Sequence, residues 1–152
     1  MPTIASLVAA HRTGARSPEQ TVAQCFARIR AHADPAVFIT LCAEDDALAE
    51  ARALAGTDPG RPLYGVPVAV KDNIDVNGLP TTAACPVFAY RPGKDATVIA
   101  RLKRAGAIVI GKTNLDQFAT GLVGVRSPYG IPRNPLRPDL IPGGSSSGSA
   151  VA

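Results

Sequence analysis

Two polar motifs far apart in the sequence carry side chains that are capable of proton transfer. Lys71 follows the apolar run 66–70, which is expected to be a strand. A lysine at the end of a buried strand can act as a base, because burial disfavours the ammonium form and lowers its pKa. The second motif, Pro-Gly-Gly-Ser-Ser-Ser-Gly-Ser at 142–149, has three successive hydroxyl groups between glycines. It is typical of a tight turn that leads into a helix with free backbone N–H groups, and equally of a flexible linker.

The elements that would position these motifs alternate between helix and strand. A serine cap, a proline at the first helical position and a glutamine three residues after the cap predict a helix start at 17–20. Helices are expected at 4–10, from 18 to about 32, at 44–55 and from 96 to about 105, and strands at 37–41, 66–70 and 107–110. This order predicts an α/β fold, a mixed sheet covered by helices.

Three features of this pattern bear on the core and the site. The small apolar residues of 66–70 indicate burial on both faces of the sheet. His11 is expected at the surface, at the end of the first helix. The run 121–142, rich in glycine and proline, is expected to be a long ordered loop, and such loops usually line sites.

The composition limits the kinds of partner. Sixteen Lys+Arg against twelve Asp+Glu give a net charge of +4 that is scattered along the chain, so nucleic-acid binding is not expected. There is no apolar run of membrane-spanning length and no basic segment of a signal peptide, so a cytoplasmic protein without a membrane partner is expected. Three widely spaced cysteines, Cys25, Cys42 and Cys85, fit reduced thiols better than disulfides or a zinc site.

Residues 106–113 match the phosphate-binding pattern G-x-x-x-x-G-K-S/T. That pattern binds phosphate only when a strand precedes the first glycine and a compact loop joins the two glycines. Here a helix is expected before Gly106, and the four intervening residues favour a strand. We therefore do not expect a nucleotide site at Lys112.

Three motifs in order, at 65–73, 105–114 and 142–150, resemble the amidase signature family. The resemblance runs from about Ser17 to the last residue. More narrowly, segments 81–86 and 113–130 resemble the allophanate hydrolase branch of that family.

The resemblance implies amide hydrolysis by a Ser-cisSer-Lys triad that forms an acyl-enzyme. It assigns Lys71 as the base and Ser145 as the bridging serine, which follows a cis Gly144–Ser145 peptide bond and passes a proton from the nucleophile to the lysine. Gly121 and Gly124 in the long loop and Ser146 beside the bridging serine are candidate substrate-binding residues. A small amide is the implied substrate, no cofactor or metal is expected, and a homodimer of the full protein is implied.

One member of the implied triad is missing from these residues. In the family the acylated serine lies further along the chain, in a motif that also forms the oxyanion hole. Ser146, Ser147 and Ser149 are too near Ser145 to fill that role. We therefore expect the 152 residues to be the amino-terminal portion of a single amidase domain, truncated before the nucleophile, with a helical part at 1–56 and the sheet and active-site portion at 62–152. Little activity, and marginal stability or association without the missing carboxyl-terminal part, should follow.

Other interpretations stay open. Within the family they are the amidase component of the aspartyl/glutamyl-tRNA amidotransferases and a general amidase. A nitrilase-type cysteine amidase would have to use Cys85, around which the sequence supplies no acid-base set. A non-catalytic remnant is the alternative from a different class.

Overall fold

The computed structural model describes residues 3–152, which form an α/β structure. The helices are α1 (Ile4–Arg12), α2 (Pro18–His32), α3 (Glu44–Leu54), α4 (Thr97–Arg104) and α5 (Ser147–Val151), and the strands are β1 (Phe38–Leu41), β2 (Pro67–Lys71) and β3 (Ile108–Thr113). Short 3-10 turns cover Pro86–Phe88 and Gln117–Ala119. The chain divides into two compact units, one of residues 3–32, 42–68 and 97–110 and the other of 33–41, 69–96 and 111–152.

The first unit contains the helices that were expected near the amino terminus. Helix α2 begins with a capping box, in which the Gln20 N–H donates to Ser17 Oγ at 3.0 Å and the Ser17 N–H donates to Gln20 Oε1 at 2.9 Å. The helix packs against α3, and both bury an apolar stripe. The buried side chains of the two helices include Val22, Phe26, Ala47, Ala51 and Leu54.

His11 belongs to this core, so the prediction of a surface histidine is wrong. Its side chain is buried, with Nδ1 2.8 Å from the Tyr64 carbonyl oxygen and Nε2 2.7 Å from Thr21 Oγ1. Burial is tolerated because both ring nitrogens have a polar partner.

The three strands form a mixed sheet, as expected from the sequence, and their order in it is β1-β3-β2. Strand β1 is antiparallel to β3, with Thr40 opposite Lys112. Strand β2 runs parallel to β3, since the Ile108 N–H donates to the Val66 carbonyl at one end and the Asp72 N–H donates to the Thr113 carbonyl at the other. All six residues of the central strand β3 are buried.

Strand β2 is less buried than the sequence indicated. Val66 and Val70 are buried, whereas Pro67, Val68 and Ala69 are half-buried. The prediction of a strand buried on both faces is therefore wrong, because β2 has one neighbour in the described sheet and β3 takes the central place.

The run 121–142 contains no helix or strand, as expected for a long loop. Within residues 3–152, no helix has both the length and the apolar character needed to cross a membrane.

Candidate active site

Lys71 and Ser145 are brought together although 74 residues separate them in the sequence. The Lys71 Nζ donates a hydrogen bond to Ser145 Oγ at 2.7 Å. Lys71 is the last residue of β2, and both side chains are half-buried. Burial lowers the pKa of the Lys71 ammonium, and the negative charge of Asp116 offsets part of this effect. Lys71 therefore loses its proton more readily than an exposed lysine and can accept one from the hydroxyl that it contacts.

The turn that carries Ser145 is ordered rather than a flexible linker. The Gly144–Ser145 peptide bond is cis, as the resemblance implied. The Gly144 N–H donates to the Leu122 carbonyl at 3.0 Å, and the Ser145 carbonyl accepts the Asp116 N–H at 2.9 Å. Helix α5 begins two residues later, at Ser147. Hydrogen bonds to two other segments thus fix the position of the hydroxyl.

Asp116 is a buried carboxylate that the sequence did not single out. Its Oδ2 accepts the Gly124 N–H at 2.9 Å and its Oδ1 accepts the Arg126 N–H at 2.8 Å. Burial alone would raise its pKa, but the backbone N–H groups of Gly124, Arg126 and Val123 and the charge of Arg126 hold it below the usual range. The only available signal was that Asp116 is the single charged residue within 113–125.

The candidate substrate-binding residues lie around this carboxylate and turn. Gly121 is buried, and a Cβ there would lie 2.4 Å from Asp116 Cγ. Gly124 has a φ of +77°, and a Cβ there would lie 2.2 Å from the Gly143 carbonyl oxygen. Ser146, next to the bridging serine, is exposed. The two glycines thus let the long loop approach the turn closely, and their binding of substrate stays a prediction.

Asp72, the residue after Lys71, forms a buried ion pair with Lys112 that was not predicted from the sequence. Lys112 Nζ lies 3.0 Å from Asp72 Oδ1, and both side chains are fully buried. The ammonium also donates to the Pro80 carbonyl at 3.0 Å and to Thr81 Oγ1 at 3.2 Å. Lys112 belongs to β3, so all of the phosphate-binding pattern from Ile108 onward lies in a strand, and the lysine side chain contacts buried groups of the protein itself.

The other serines of the motif do not share the hydrogen bond between Lys71 and Ser145. Ser147 Oγ is buried without a hydrogen-bond partner among residues 3–152, and Ser149 Oγ lies 2.7 Å from Thr113 Oγ1.

The three cysteines are free thiols. In the described part of the chain, no group of three or more His, Cys, Asp and Glu side chains could hold a metal ion.

Comparisons with known proteins agree with the motifs. Residues 20–152 match the family described as Amidase. The chain is 68% identical over 89 residues to the urea amidolyase of Saccharomyces cerevisiae, a match that covers 59% of this chain and 5% of that protein. It is 48% identical over 142 residues to the A component of the glutamyl-tRNA(Gln) amidotransferase of Lawsonia intracellularis, covering 90% of this chain and 29% of that protein.

Among solved structures, selenomethionine-substituted allophanate hydrolase from Kluyveromyces lactis is similar, with a TM-score of 0.84 and 43% sequence identity. The match covers 99% of this chain and 25% of that one. This chain therefore spans less than a third of the length of each of these three relatives.

Proposed function

Because this chain belongs to the amidase family, we propose that it supplies two of the three side chains of a Ser-cisSer-Lys triad that hydrolyses an amide bond. The observation that carries the proposal is the hydrogen bond between Lys71 Nζ and Ser145 Oγ. A primary amine and a hydroxyl in this contact can pass a proton from a third group to the lysine.

The proton transfers follow from this contact. Neutral Lys71 accepts the Ser145 hydroxyl proton, while Ser145 Oγ accepts the proton of a nucleophilic serine outside these residues. The nucleophile then attacks the amide carbon, and the tetrahedral intermediate collapses as the lysine returns the proton through Ser145 to the leaving amine. Water repeats the sequence and releases the acid from the acyl-enzyme.

The substrate that we favour is allophanate, the carboxylated urea of urea degradation. Support comes from the 68% identity to urea amidolyase and from the fold shared with an allophanate hydrolase. The second candidate is glutamine, the amide expected for an amidotransferase component, which is supported by 48% identity over a longer stretch of 142 residues. Gly121, Gly124 and Ser146 are the residues that we propose to contact the substrate.

The proposal also concerns the extent of the domain. We infer that residues 1–152 are the amino-terminal portion of one amidase domain, helical at 1–56 and carrying the sheet and active-site portion at 62–152. Without the nucleophile and its oxyanion hole, acyl transfer loses its largest electrostatic stabilisation, so the 152 residues alone should hydrolyse little or no amide. The proposal includes a homodimer of the full protein. It also includes a cytoplasmic location, because three free thiols fit a reducing compartment.

The experiment joins these residues to the carboxyl-terminal part of the Kluyveromyces lactis allophanate hydrolase domain. Ammonia release is then measured from allophanate and from glutamine, with the 152-residue chain assayed beside the fusion. We expect the fusion to prefer allophanate and the shorter chain to be inactive. Preference for glutamine would favour the amidotransferase candidate. An ordinary enzymatic rate from the shorter chain would contradict the proposal that these residues supply only two of the three triad side chains.

A further inference from the structure

An aromatic cluster, formed by Phe88, Tyr90 and Phe118, is exposed in the compact unit that carries the candidate site. Its rings pack edge to face, with centroids 5.3 Å apart for Phe88 and Phe118 and 5.6 Å apart for Phe88 and Tyr90. The three side chains are 47%, 43% and 49% exposed, and the adjacent Val87 is 98% exposed. A contiguous exposed apolar patch often marks a surface where another molecule binds.

Backbone hydrogen bonds hold the aromatic cluster in a fixed arrangement. The Phe118 N–H donates to the Ala83 carbonyl at 2.9 Å. Tyr90 and Thr81 exchange two backbone hydrogen bonds, at 2.9 and 3.1 Å, and the Tyr90 hydroxyl donates to Asp75 Oδ1 at 2.8 Å. Phe118 has a φ of +52°, which is uncommon for a bulky residue, and such strain is concentrated at functional sites. A partner would therefore find the rings already ordered, which lowers the entropic cost of binding.

The same network places the aromatic cluster next to Lys71 and Ser145. On one side, the Ala83 N–H donates to the carbonyl of the residue after Lys71 at 3.3 Å, and the Ala83 carbonyl accepts the Phe118 N–H. On the other side, the Asp116 N–H donates to the Ser145 carbonyl at 2.9 Å. Phe118 follows Asp116 by two residues, so their Cα atoms are within about 8 Å of each other.

We propose that the aromatic cluster is a docking surface for the carboxyl-terminal part of an amidase domain, the part that would bring the nucleophilic serine. This inference rests on the proposed function, which requires a serine from outside these residues within about 3 Å of Ser145 Oγ. A stable interface covers about 800 Å² of each partner, equivalent to a disc of roughly 16 Å radius. An interface centred on Ser145 therefore extends over the cluster.

Two further observations favour this occupant. The similarity to the Kluyveromyces lactis allophanate hydrolase covers 25% of that chain, so this relative has ample further polypeptide to cover the surface. Leu122 is 85% exposed, and its carbonyl accepts the Gly144 N–H at 3.0 Å, so a second apolar side chain is exposed beside the serine turn. A second copy of this chain could also cover the rings, but it would not bring the missing serine to Ser145.

The test compares the 152-residue chain with its fusion to the carboxyl-terminal part of the Kluyveromyces lactis allophanate hydrolase domain. Both are oxidised by hydroxyl radicals at submicromolar concentration, and the side-chain rates are measured by mass spectrometry. Because the rate follows exposed area, a ring that falls from 47% exposure to about a tenth should react about fivefold more slowly in the fusion. Val98, which is 50% exposed in the other compact unit, is the reference and should react at similar rates in both proteins.

Equal oxidation rates of the three rings in the two proteins would overturn the proposal. Rings that are protected in the 152-residue chain and become reactive on dilution would show that a second copy covers them, which would also overturn it. The readout needs no turnover. Protected rings in an inactive fusion would therefore count against the proposed function while supporting the docking surface, and an active fusion with unprotected rings would do the reverse.

A stability measurement gives a second, independent readout. Docking must stabilise the chain, so a fusion that unfolds at lower urea concentration than the 152-residue chain would contradict the proposal. The double variant Phe88→Ser with Phe118→Ser should lower the urea midpoint of the fusion more than that of the 152-residue chain, because only the fusion buries these rings. The control Val98→Ser should shift both midpoints equally, and equal shifts in the double variant would count against docking at the cluster.

Discussion

Replacing Lys112 by methionine removes one partner of a fully buried ion pair while keeping an unbranched apolar side chain. The ammonium donates hydrogen bonds to the Pro80 carbonyl at 3.0 Å and to Thr81 Oγ1 at 3.2 Å, and it forms an ion pair with Asp72 Oδ1 at 3.0 Å. In the variant, the Asp72 carboxylate stays buried with only the N–H and hydroxyl of Thr82 as donors. Leaving a buried charge without its partner costs about 3–5 kcal/mol, a large part of the roughly 5–15 kcal/mol that stabilises an ordinary domain.

The assay is urea unfolding followed by circular dichroism. We expect Lys112→Met to lower the free energy of unfolding by about 3–5 kcal/mol or to prevent folding. The double variant Asp72→Asn with Lys112→Met removes the unpaired charge of Asp72 and should be more stable than Lys112→Met alone. Lys94→Met, at an exposed position, is the control and should change stability by less than about 0.5 kcal/mol. The reasoning is refuted if Lys112→Met stays within about 1 kcal/mol of the wild type, or if the double variant gains nothing.

Three further predictions concern the turn, the base and the sheet. Gly124→Ala places a Cβ 2.2 Å from the Gly143 carbonyl at a φ of +77°, so thermal denaturation should show that the free energy of unfolding falls by about 2 kcal/mol or more. The control Gly93→Ala, whose Cβ would have nothing within 4 Å, should change it little. Because burial lowers the pKa of Lys71 from 10.5, the unfolded chain binds more protons at this site, so the contribution of Lys71 to stability should increase as the pH approaches that value. In urea unfolding at pH 7 and pH 10, the wild type should therefore gain more stability, or lose less, than Lys71→Met; an equal change in both proteins would exclude this contribution of Lys71. Strands β1 and β2 are the edges of the described sheet, so the 152-residue chain should associate in sedimentation experiments or melt at low temperature. A monomer that melts cooperatively at high temperature would count against this.

The parts of the fold that could be predicted from the sequence are those specified by neighbouring residues. The start of α2 follows from the serine, proline and glutamine of 17–20, which satisfy one another within a single turn. The pairing of Lys71 with Ser145 could be anticipated only because the motifs resemble a family, since no local pattern connects residues 74 positions apart.

The remaining features depend on partners that are distant in the sequence. His11 is buried because Tyr64, 53 residues away, supplies a carbonyl acceptor. Strand β3 was expected to end at residue 110 but continues to Thr113, because β1 pairs with Gly111 and Lys112 and Asp72 neutralises the lysine. From the sequence alone, a lysine next to a strand is expected to be exposed at the end of that strand. Only the fold shows that the Asp72 carboxylate lies beside Lys112 and allows its burial.

The bridging contact between Lys71 and Ser145 can be tested most directly by a double-mutant cycle in the fusion that carries a complete amidase domain. If the two side chains form one proton relay, Lys71→Met and Ser145→Ala should each lower kcat/KM by about a hundredfold or more. The double variant should then be no slower than the slower single variant, because groups that act as a unit are not additive. Losses that multiply in the double variant would show two independent contributions and would contradict the relay.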